Sequence, residues 1–126
     1  TRDRMMPGAF ISAPDYVDAL RQRARYREQF RQLMGDLDVI ICASSMDPAC
    51  RIDDPAEVNR TYGRQARTPF NLLGTPALAV PTGFSSDGMP LSMQIVGKAF
   101  DEATIYQAAD AYEQATSWSD RRPAVS

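Results

Sequence analysis

Residues 68–84 read TPFNLLGTPALAVPTGF, and residues 88–97 read GMPLSMQIVG. Each stretch contains a short apolar run, at residues 77–81 and 91–96, of a length and composition that favour a β-strand. A polar segment that ends in an Asp-Gly pair separates the runs, and this pair is a strong signal for a hairpin turn. The sequence therefore predicts an antiparallel hairpin over residues 77–96.

Another strand and three helices are expected around this hairpin. Residues 38–43 read DVIICA, an apolar run without alternation that is typical of a strand buried on both faces. Ser12 has the character of a capping residue for a long helix that Gly35 should end. Two shorter helices should begin after the capping residues Asp54 and Asp101.

Helices that alternate with buried strands predict an α/β fold whose sheet is covered by helices on both faces. Three strands are few for a sheet of that kind. We therefore expect the chain to complete a larger sheet or to associate with another chain, including a second copy of itself. The apolar surface left open for this contact should be larger than the usual patch on a monomer.

Composition indicates a soluble globular domain. The 126 residues are 44% hydrophobic and 24% charged, with a net charge of −2. No apolar run approaches the roughly 20 residues that span a bilayer, and the first residues do not form the apolar segment of a secretory signal. We therefore expect no membrane partner and a cytoplasmic location.

Basic residues are concentrated in the predicted long helix, at Arg21, Arg23, Arg25, Arg27 and Arg31. Such a cluster can bind nucleic acid, but the chain is acidic overall and contains no signature of a nucleic-acid-binding fold. A solvated helix face is the better interpretation. We therefore expect no nucleic-acid partner.

The sequence lacks the side chains that many hydrolytic sites use. It contains no histidine, which excludes every Ser-His and Cys-His scheme within these residues. Lys98 is the only lysine, and its place after a strand and a glycine favours a solvated charge over a buried base. Cys42 and Cys50 match neither zinc-ligand nor redox spacing, and the aspartates lack the spacing of a calcium loop. We predict reduced structural thiols, no metal site and no cofactor.

The chain resembles the C-terminal third of the amidase signature family, serine hydrolases that cleave carboxamides. The similarity extends over nearly all of residues 1–126, and its most specific parts are residues 71–77 and the pair Pro90 and Gln94. It implies a mixed sheet flanked by helices, and amide hydrolysis by a serine nucleophile, a bridging serine and a lysine base. Because those three residues belong to an upstream segment of the family, none is assigned here, and the chain is expected to be inactive alone.

The resemblance also implies that this part of the fold supplies scaffold and some of the pocket for a small-molecule amide. Ligands of α/β sheets collect at loops beyond strand ends. The substrate-binding candidates are therefore the loop after the first strand, with Ser44, Ser45 and Met46, and the start of the motif segment, with Thr68, Phe70 and Asn71. For Asn71 and Gln94 we favour the alternative that they only satisfy buried backbone groups.

Arg64 is a departure from part of the family. In the tRNA amidotransferase subunits of the family that this chain resembles, an acidic residue stands seven positions before the motif Asn. That acidic residue holds the amino group of glutamine. Arg64 occupies that position here, counted from Asn71. An arginine repels an ammonium group, so we include Arg64 among the substrate-binding candidates and expect an anionic or neutral amide as substrate.

Two other interpretations stay open. The chain could be a binding or interaction module that uses the same fold segment without catalysis. It could also be a subunit whose catalytic half is a separate chain. The partner that we expect for this chain is the remainder of an amidase domain.

Overall fold

The computed structural model describes residues 5–122, which form two compact units: residues up to Leu33 and residues from Met34 onward. The first unit contains a 3-10 helix, Met6–Phe10, and most of helix α1, Ala13–Met34. The predicted long helix is therefore confirmed. None of the helices within the described residues is long and apolar enough to cross a membrane.

The start of α1 is fixed by a local hydrogen-bonded pair. The Asp15 backbone N–H donates to Ser12 Oγ at 3.3 Å, and the Ser12 hydroxyl donates to Asp15 Oδ2 at 2.6 Å. This arrangement satisfies one of the backbone donors that every helix start leaves free. The capping role predicted for Ser12 is confirmed.

The arginine-rich surface of α1 is solvated and partly paired. Arg21 forms an ion pair with Asp18 at 3.0 Å, and Arg31 forms one with Glu28 at 2.7 Å. Hydrogen bonds from Arg31 and then Gln32 to the Glu28 carboxylate lower its pKa to about 2. Two of the five arginines of this helix are therefore paired with acids on the same helix, which contains three acidic residues in all.

The second unit contains the sheet and four shorter helical segments. Its strands are β1, Val39–Ala43, β2, Ala77–Phe84, and β3, Pro90–Gly97. Its helices are α2, Pro55–Tyr62, α3, Thr68–Leu73, and α4, Glu102–Ala115, followed by a 3-10 helix, Trp118–Asp120. The α/β class is confirmed.

The strand order is β1-β3-β2, and both pairs are antiparallel. The hairpin of β2 and β3 is confirmed, with Gly88 in the left-handed region at φ 83° in its turn. Ile41 of β1 lies opposite Ile95, and Val80 of β2 lies opposite Met93. A register shift between Pro81 and Gly83 bends β2 near its end.

The core of this unit lies between the hairpin and α4. Val80, Ile95, Ile105 and Ala109 form one buried cluster, and Tyr112 packs against it. The i, i+4 spacing of Ile105 and Ala109 places both on the same face of α4, as an amphipathic helix requires.

Strand β1 differs from its predicted environment. Within residues 5–122 it has β3 as its one strand neighbour, and Ile41 is 59% exposed. The prediction of burial on both faces was wrong for these residues because β1 is an edge strand and α4 packs mainly against β2 and β3. A run of β-branched residues gives no information about which neighbours a strand has.

The two predicted helix caps have different outcomes. Asp54 Oδ1 accepts from the Glu57 backbone N–H at 3.1 Å, which confirms it as the cap of α2. Asp101 occupies the cap position of α4, but its carboxylate accepts from the Thr104 hydroxyl at 2.8 Å and not from a helix N–H. The threonine side chain competes for the carboxylate at the start of this helix.

Candidate functional site

The candidate site is a cavity of about 540 Å³ where the end of β1 meets the beginning of β3. Its wall combines a loop, one face of α2, the connection between α2 and α3, and the first residues of β3. The lining residues are 45–50, Val58, Thr61, Tyr62, Gln65, Arg67 and 90–92. The cavity therefore lies at a strand end, the kind of place where the sequence analysis expected substrate.

Backbone hydrogen bonds hold the loop after β1 in place. The Ser44 N–H donates to the Ser92 carbonyl oxygen at 3.3 Å, and the Met46 N–H donates to the Arg64 carbonyl oxygen at 3.1 Å. Behind them, Gln94 is 2% exposed and donates from Nε2 to the Ala43 carbonyl oxygen at 2.9 Å. Gln94 therefore satisfies a backbone group, as predicted, although Ala43, the residue that carries it, is exposed.

An ion-pair network fixes the side of the loop that carries Asp47. The Asp47 carboxylate accepts from Arg64 Nε at 2.7 Å and from Arg60 Nη1 at 3.3 Å, and its side chain is only 15% exposed. Burial raises the pKa of Asp47, but the Arg64 hydrogen bond and the charges of both arginines outweigh it, so the net shift is downward. Arg60 also pairs with Glu57 at 2.6 Å. Asp47 therefore stays ionised as the link between the loop and the helical segment.

Cys50 contributes a sulfur acceptor to the same wall. The Thr61 hydroxyl donates to the Glu57 carbonyl oxygen at 2.9 Å and lies 3.3 Å from Cys50 Sγ. Cys42 and Cys50 are both free thiols, as predicted. Within residues 5–122, no group of three or more potential metal ligands comes together.

The connection between α2 and α3 contains two polar side chains, Gln65 and Arg67, for which the described part of the chain supplies no hydrogen-bonding or acidic partner. Gln65 Oε1 is buried and accepts no hydrogen bond from the described residues. Arg67 also lines the cavity, and within residues 5–122 its guanidinium has no acidic partner, whereas Arg60 and Arg64 both have one. Arg67 is exposed and therefore accessible to solvent, whereas the buried Gln65 Oε1 is not.

The structure brings only some of the predicted site residues together. Ser45 and Met46 line the cavity, and Ser44 is buried directly before them. Arg64 is outside the lining, but its carbonyl and guanidinium hold the loop through Met46 and Asp47.

The predicted residues of the motif segment lie elsewhere. Thr68, Phe70 and Asn71 belong to α3 and are not among the residues that line the cavity. Asn71 is exposed, so the interpretation that it satisfies a buried backbone group was wrong, although Gln94 does satisfy a backbone group. In this short helix, which ends at Gly74 in the left-handed region, Leu73 is the buried residue.

The sequence analysis missed Thr61, Gln65, Arg67 and Leu91 as lining residues. For Gln65 and Arg67 the sequence contained one usable signal, their position in the connection between a capped helix and the motif segment. Gln65 and Arg67 are separated by one residue in that connection.

Comparisons with known proteins agree on one family. A model of the family described as Amidase matches residues 1–106. A glutamyl-tRNA(Gln) amidotransferase subunit from Shouchella clausii is 41% identical over 97% of the chain and 26% of its own length. The chain thus spans about a quarter of the length of the curated relatives it matches.

Solved structures show the same likeness in three dimensions. The corresponding glutamyl-tRNA(Gln) amidotransferase subunit from Thermotoga maritima matches with a TM-score of 0.72 and 26% identity, over 92% of this chain and 27% of that one. 6-Aminohexanoate cyclic dimer hydrolase matches with a TM-score of 0.76 and 26% identity over the same shares. A hydrolase and a transferase subunit therefore both resemble this segment.

Proposed function

Because the chain belongs to the amidase family, we propose that it forms part of an enzyme that hydrolyses a carboxamide to a carboxylate and ammonia or an amine. The observation that supports this most directly is the family match over residues 1–106. The hydrolase among the similar structures agrees with it. The cavity beyond β1 is the proposed place where this chain contacts the substrate.

We propose that the chain supplies scaffold and pocket, while the nucleophilic serine, the bridging serine and the lysine base belong to another part of the enzyme. In such a reaction the serine attacks the amide carbon, the C–N bond breaks as the amine takes up a proton, and water releases the acyl group. The one lysine of this sequence does not fit the role of base, since Lys98 Nζ donates to the Gly35 carbonyl oxygen at 3.0 Å in an exposed position.

The proposed partner is the remainder of an amidase domain. Support comes from the edge position of β1, whose Ile41 is largely exposed, and from other exposed apolar side chains of the same unit, Ile52 and Phe100. Unpaired strand edges and open apolar surface favour association. In the absence of that partner we expect the chain to self-associate.

A second candidate function is ammonia release from glutamine, which the resemblance to the tRNA amidotransferase subunits implies; the curated relatives are named as such subunits. Arg64 was expected to disfavour glutamine by repelling its ammonium group. The ion pair between Arg64 and Asp47 weakens that expectation, because the guanidinium charge is compensated by a neighbouring carboxylate. We retain the small-molecule amide as the first candidate and make glutamine the competing substrate in the test.

The test measures ammonia release by the complete gene product from butyramide, succinamate and glutamine, and by the 126-residue chain alone. We expect hydrolysis of a small amide by the complete product and none by the chain alone. Preference for glutamine would favour the second candidate. Hydrolysis by the chain alone that disappears in Ser44→Ala or Ser45→Ala would place catalysis here, and no hydrolysis by either would favour the non-catalytic module.

A further inference from the structure

We propose that Asp47 is a positioning residue of the candidate site: its carboxylate fixes the separation of two walls of the cavity and thereby makes the site selective for the size of the amide. This inference rests on the proposed amidase function and deepens it. The loop wall consists of residues 45–50, and the helix wall consists of Val58, Thr61, Tyr62 and Gln65. Asp47 acts through the loop wall that carries it.

Charged hydrogen bonds connect Asp47 to the segment that carries the helix wall. Its Oδ2 accepts from Arg64 Nε at 2.7 Å, and its Oδ1 accepts from both Nη atoms of Arg60 at 3.3 Å. Arg60 belongs to α2, and Arg64 lies just beyond the end of that helix. Hydrogen bonds between ionised groups are stronger than neutral ones, and a planar guanidinium also restricts the orientation of its partner. The carboxylate of Asp47 is therefore held by two separate arginines.

The network around Asp47 is itself restrained and sheltered. Glu57 accepts from Arg60 Nη2 at 2.6 Å and from Nε at 2.9 Å, a paired contact that fixes the guanidinium plane. The Asp47 side chain is only 15% exposed, whereas Asp53, which pairs with Arg51 in the same loop, is 62% exposed. Ion pairs in solvated positions contribute little, because water and salt screen them. The Asp47 network should therefore restrain the loop more strongly than the exposed pair does.

Two neutral contacts flank this network. The Met46 N–H donates to the Arg64 carbonyl oxygen at 3.1 Å, and the Thr61 hydroxyl lies 3.3 Å from Cys50 Sγ. Asp47 lies between Met46 and Cys50 in the sequence, so the charged contact is made by the middle of the loop wall. Without that charge the loop wall would depend on weaker contacts, and its separation from the helix wall should vary more.

The expected consequence is a change in substrate selectivity. A wall held at one separation selects ligands by size, whereas a wall that moves can adapt to several sizes. The cavity of about 540 Å³ can hold amides of different bulk, so its volume alone does not choose among them. Because the proposed nucleophile belongs to another part of the enzyme, loosening the loop wall should change substrate binding more than the chemical step.

The first arm of the test measures amide hydrogen exchange in the complete gene product by mass spectrometry resolved to single residues. Asp47→Asn keeps the shape of the side chain and removes its charge, so the Met46 N–H should exchange about threefold to tenfold faster. The Ser44 N–H should keep its rate, because its acceptor belongs to Ser92 in the sheet. Asp53→Asn is the matched control and should change neither rate, since its ion pair is exposed.

Variants of Arg64 test the same contact from the other wall. Arg64→Gln should accelerate exchange at Met46 as Asp47→Asn does. The two changes combined should have little more effect than either alone, because both break the same ion pair. Arg64→Lys should recover part of the protection, since it keeps a charged donor. These variants keep the test decisive if Asp47→Asn does not fold.

The second arm compares hydrolysis of butyramide and of the bulkier 4-phenylbutyramide by the complete gene product. Asp47→Asn should raise KM for butyramide with little change in kcat. The ratio of kcat/KM for butyramide to that for 4-phenylbutyramide should fall about threefold or more. A general loss of folded enzyme would lower the apparent kcat for both amides by the same factor and leave the ratio unchanged. Asp53→Asn should keep the wild-type ratio.

The two arms separate this inference from the proposed function. Unchanged exchange at Met46 in both Asp47→Asn and Arg64→Gln would overturn the proposal, and so would equal acceleration at Met46 and Ser44. Amide hydrolysis with an unchanged ratio in Asp47→Asn would retain the amidase function and overturn the selective role. Faster exchange at Met46 in a gene product that hydrolyses no amide would overturn the function while retaining the connection between the walls. Faster exchange together with a lower ratio would support both.

Discussion

Helix α1 and the hairpin of β2 and β3 bury very different shares of their side chains. Of the 22 residues of α1 only Met34 is buried, and the apolar side chains of Leu20 and Leu33 are exposed. In the hairpin, Val80 and Ile95 are among the most buried residues of the chain. The helix is specified by contacts between near neighbours in sequence, and the hairpin by packing with distant ones. Stability should therefore be concentrated in the hairpin.

The largest effect is expected for Ile95→Ala. Ile95 lies within the buried cluster with Val80 and Ile105, and removing its side-chain atoms leaves a cavity, so the free energy of unfolding should fall by about 2–5 kcal/mol. Chemical denaturation followed by circular dichroism measures the change. The matched control is Ile41→Ala, the exposed cross-strand partner, for which we expect a loss below about 1 kcal/mol. Equal losses in the two variants would contradict the assignment of the core.

A smaller effect is expected for Gln94→Leu. The variant removes the 2.9 Å donor of the Ala43 carbonyl oxygen in a part-buried position, which should cost about 1–1.5 kcal/mol. It should also loosen the start of the cavity loop, measured as faster amide hydrogen exchange at Ser44. Gln114→Leu is the control, because its 2.7 Å bond to Asp110 is exposed and its loss should change stability by less than about 0.5 kcal/mol.

Ser12→Ala tests whether α1 depends on its local cap. Loss of the oxygen that accepts from the Asp15 N–H should destabilise the helix by about 1 kcal/mol, visible as reduced helical circular dichroism. Ser86→Ala, an exposed serine in the hairpin turn, should leave the spectrum unchanged. If Ser12→Ala changed neither helix content nor stability, tertiary packing rather than the cap would determine where α1 begins.

The smallest effect concerns the pH dependence of α1. The pKa of Glu28 is lowered from 4.5 to about 2 by the hydrogen bonds of Arg31 and Gln32. A depressed carboxyl pKa stabilises the folded helix above the ordinary pKa, and that contribution disappears as pH falls from about 4.5 towards 2. Helix content should decrease over this range, and Glu28→Gln should remove that part of the decrease. A pH profile identical in the variant would mean that the exposed pair contributes nothing measurable.

The features that the sequence predicted correctly depend on near neighbours. The two helix caps, Ser12 and Asp54, accept from backbone N–H groups three residues away. The hairpin turn that contains the Asp-Gly pair is closed by hydrogen bonds between residues three and four positions apart. The spacing of apolar residues in α4 likewise indicated which of its residues are buried. These elements do not require knowledge of the rest of the fold.

The features that escaped prediction depend on distant contacts. Arg64 reaches Asp47 across seventeen residues, so its structural role was invisible in a position-by-position comparison with relatives. Gln65 and Arg67 line the cavity because the fold brings the loop after β1 and the start of β3 next to them. The edge position of β1 was hidden for the same reason, because the strand order is a property of the whole sheet.

The two edges of the sheet are chemically unequal. On the β2 side, Pro81 has no N–H to donate and the register shift towards Gly83 bends the strand, both of which discourage a further strand. On the β1 side, residues 39–43 contain neither proline nor a charged side chain, and within the described residues their outer edge has no strand partner. The two edges therefore make growth of the sheet directional, and we expect an added strand to pair with β1 rather than with β2.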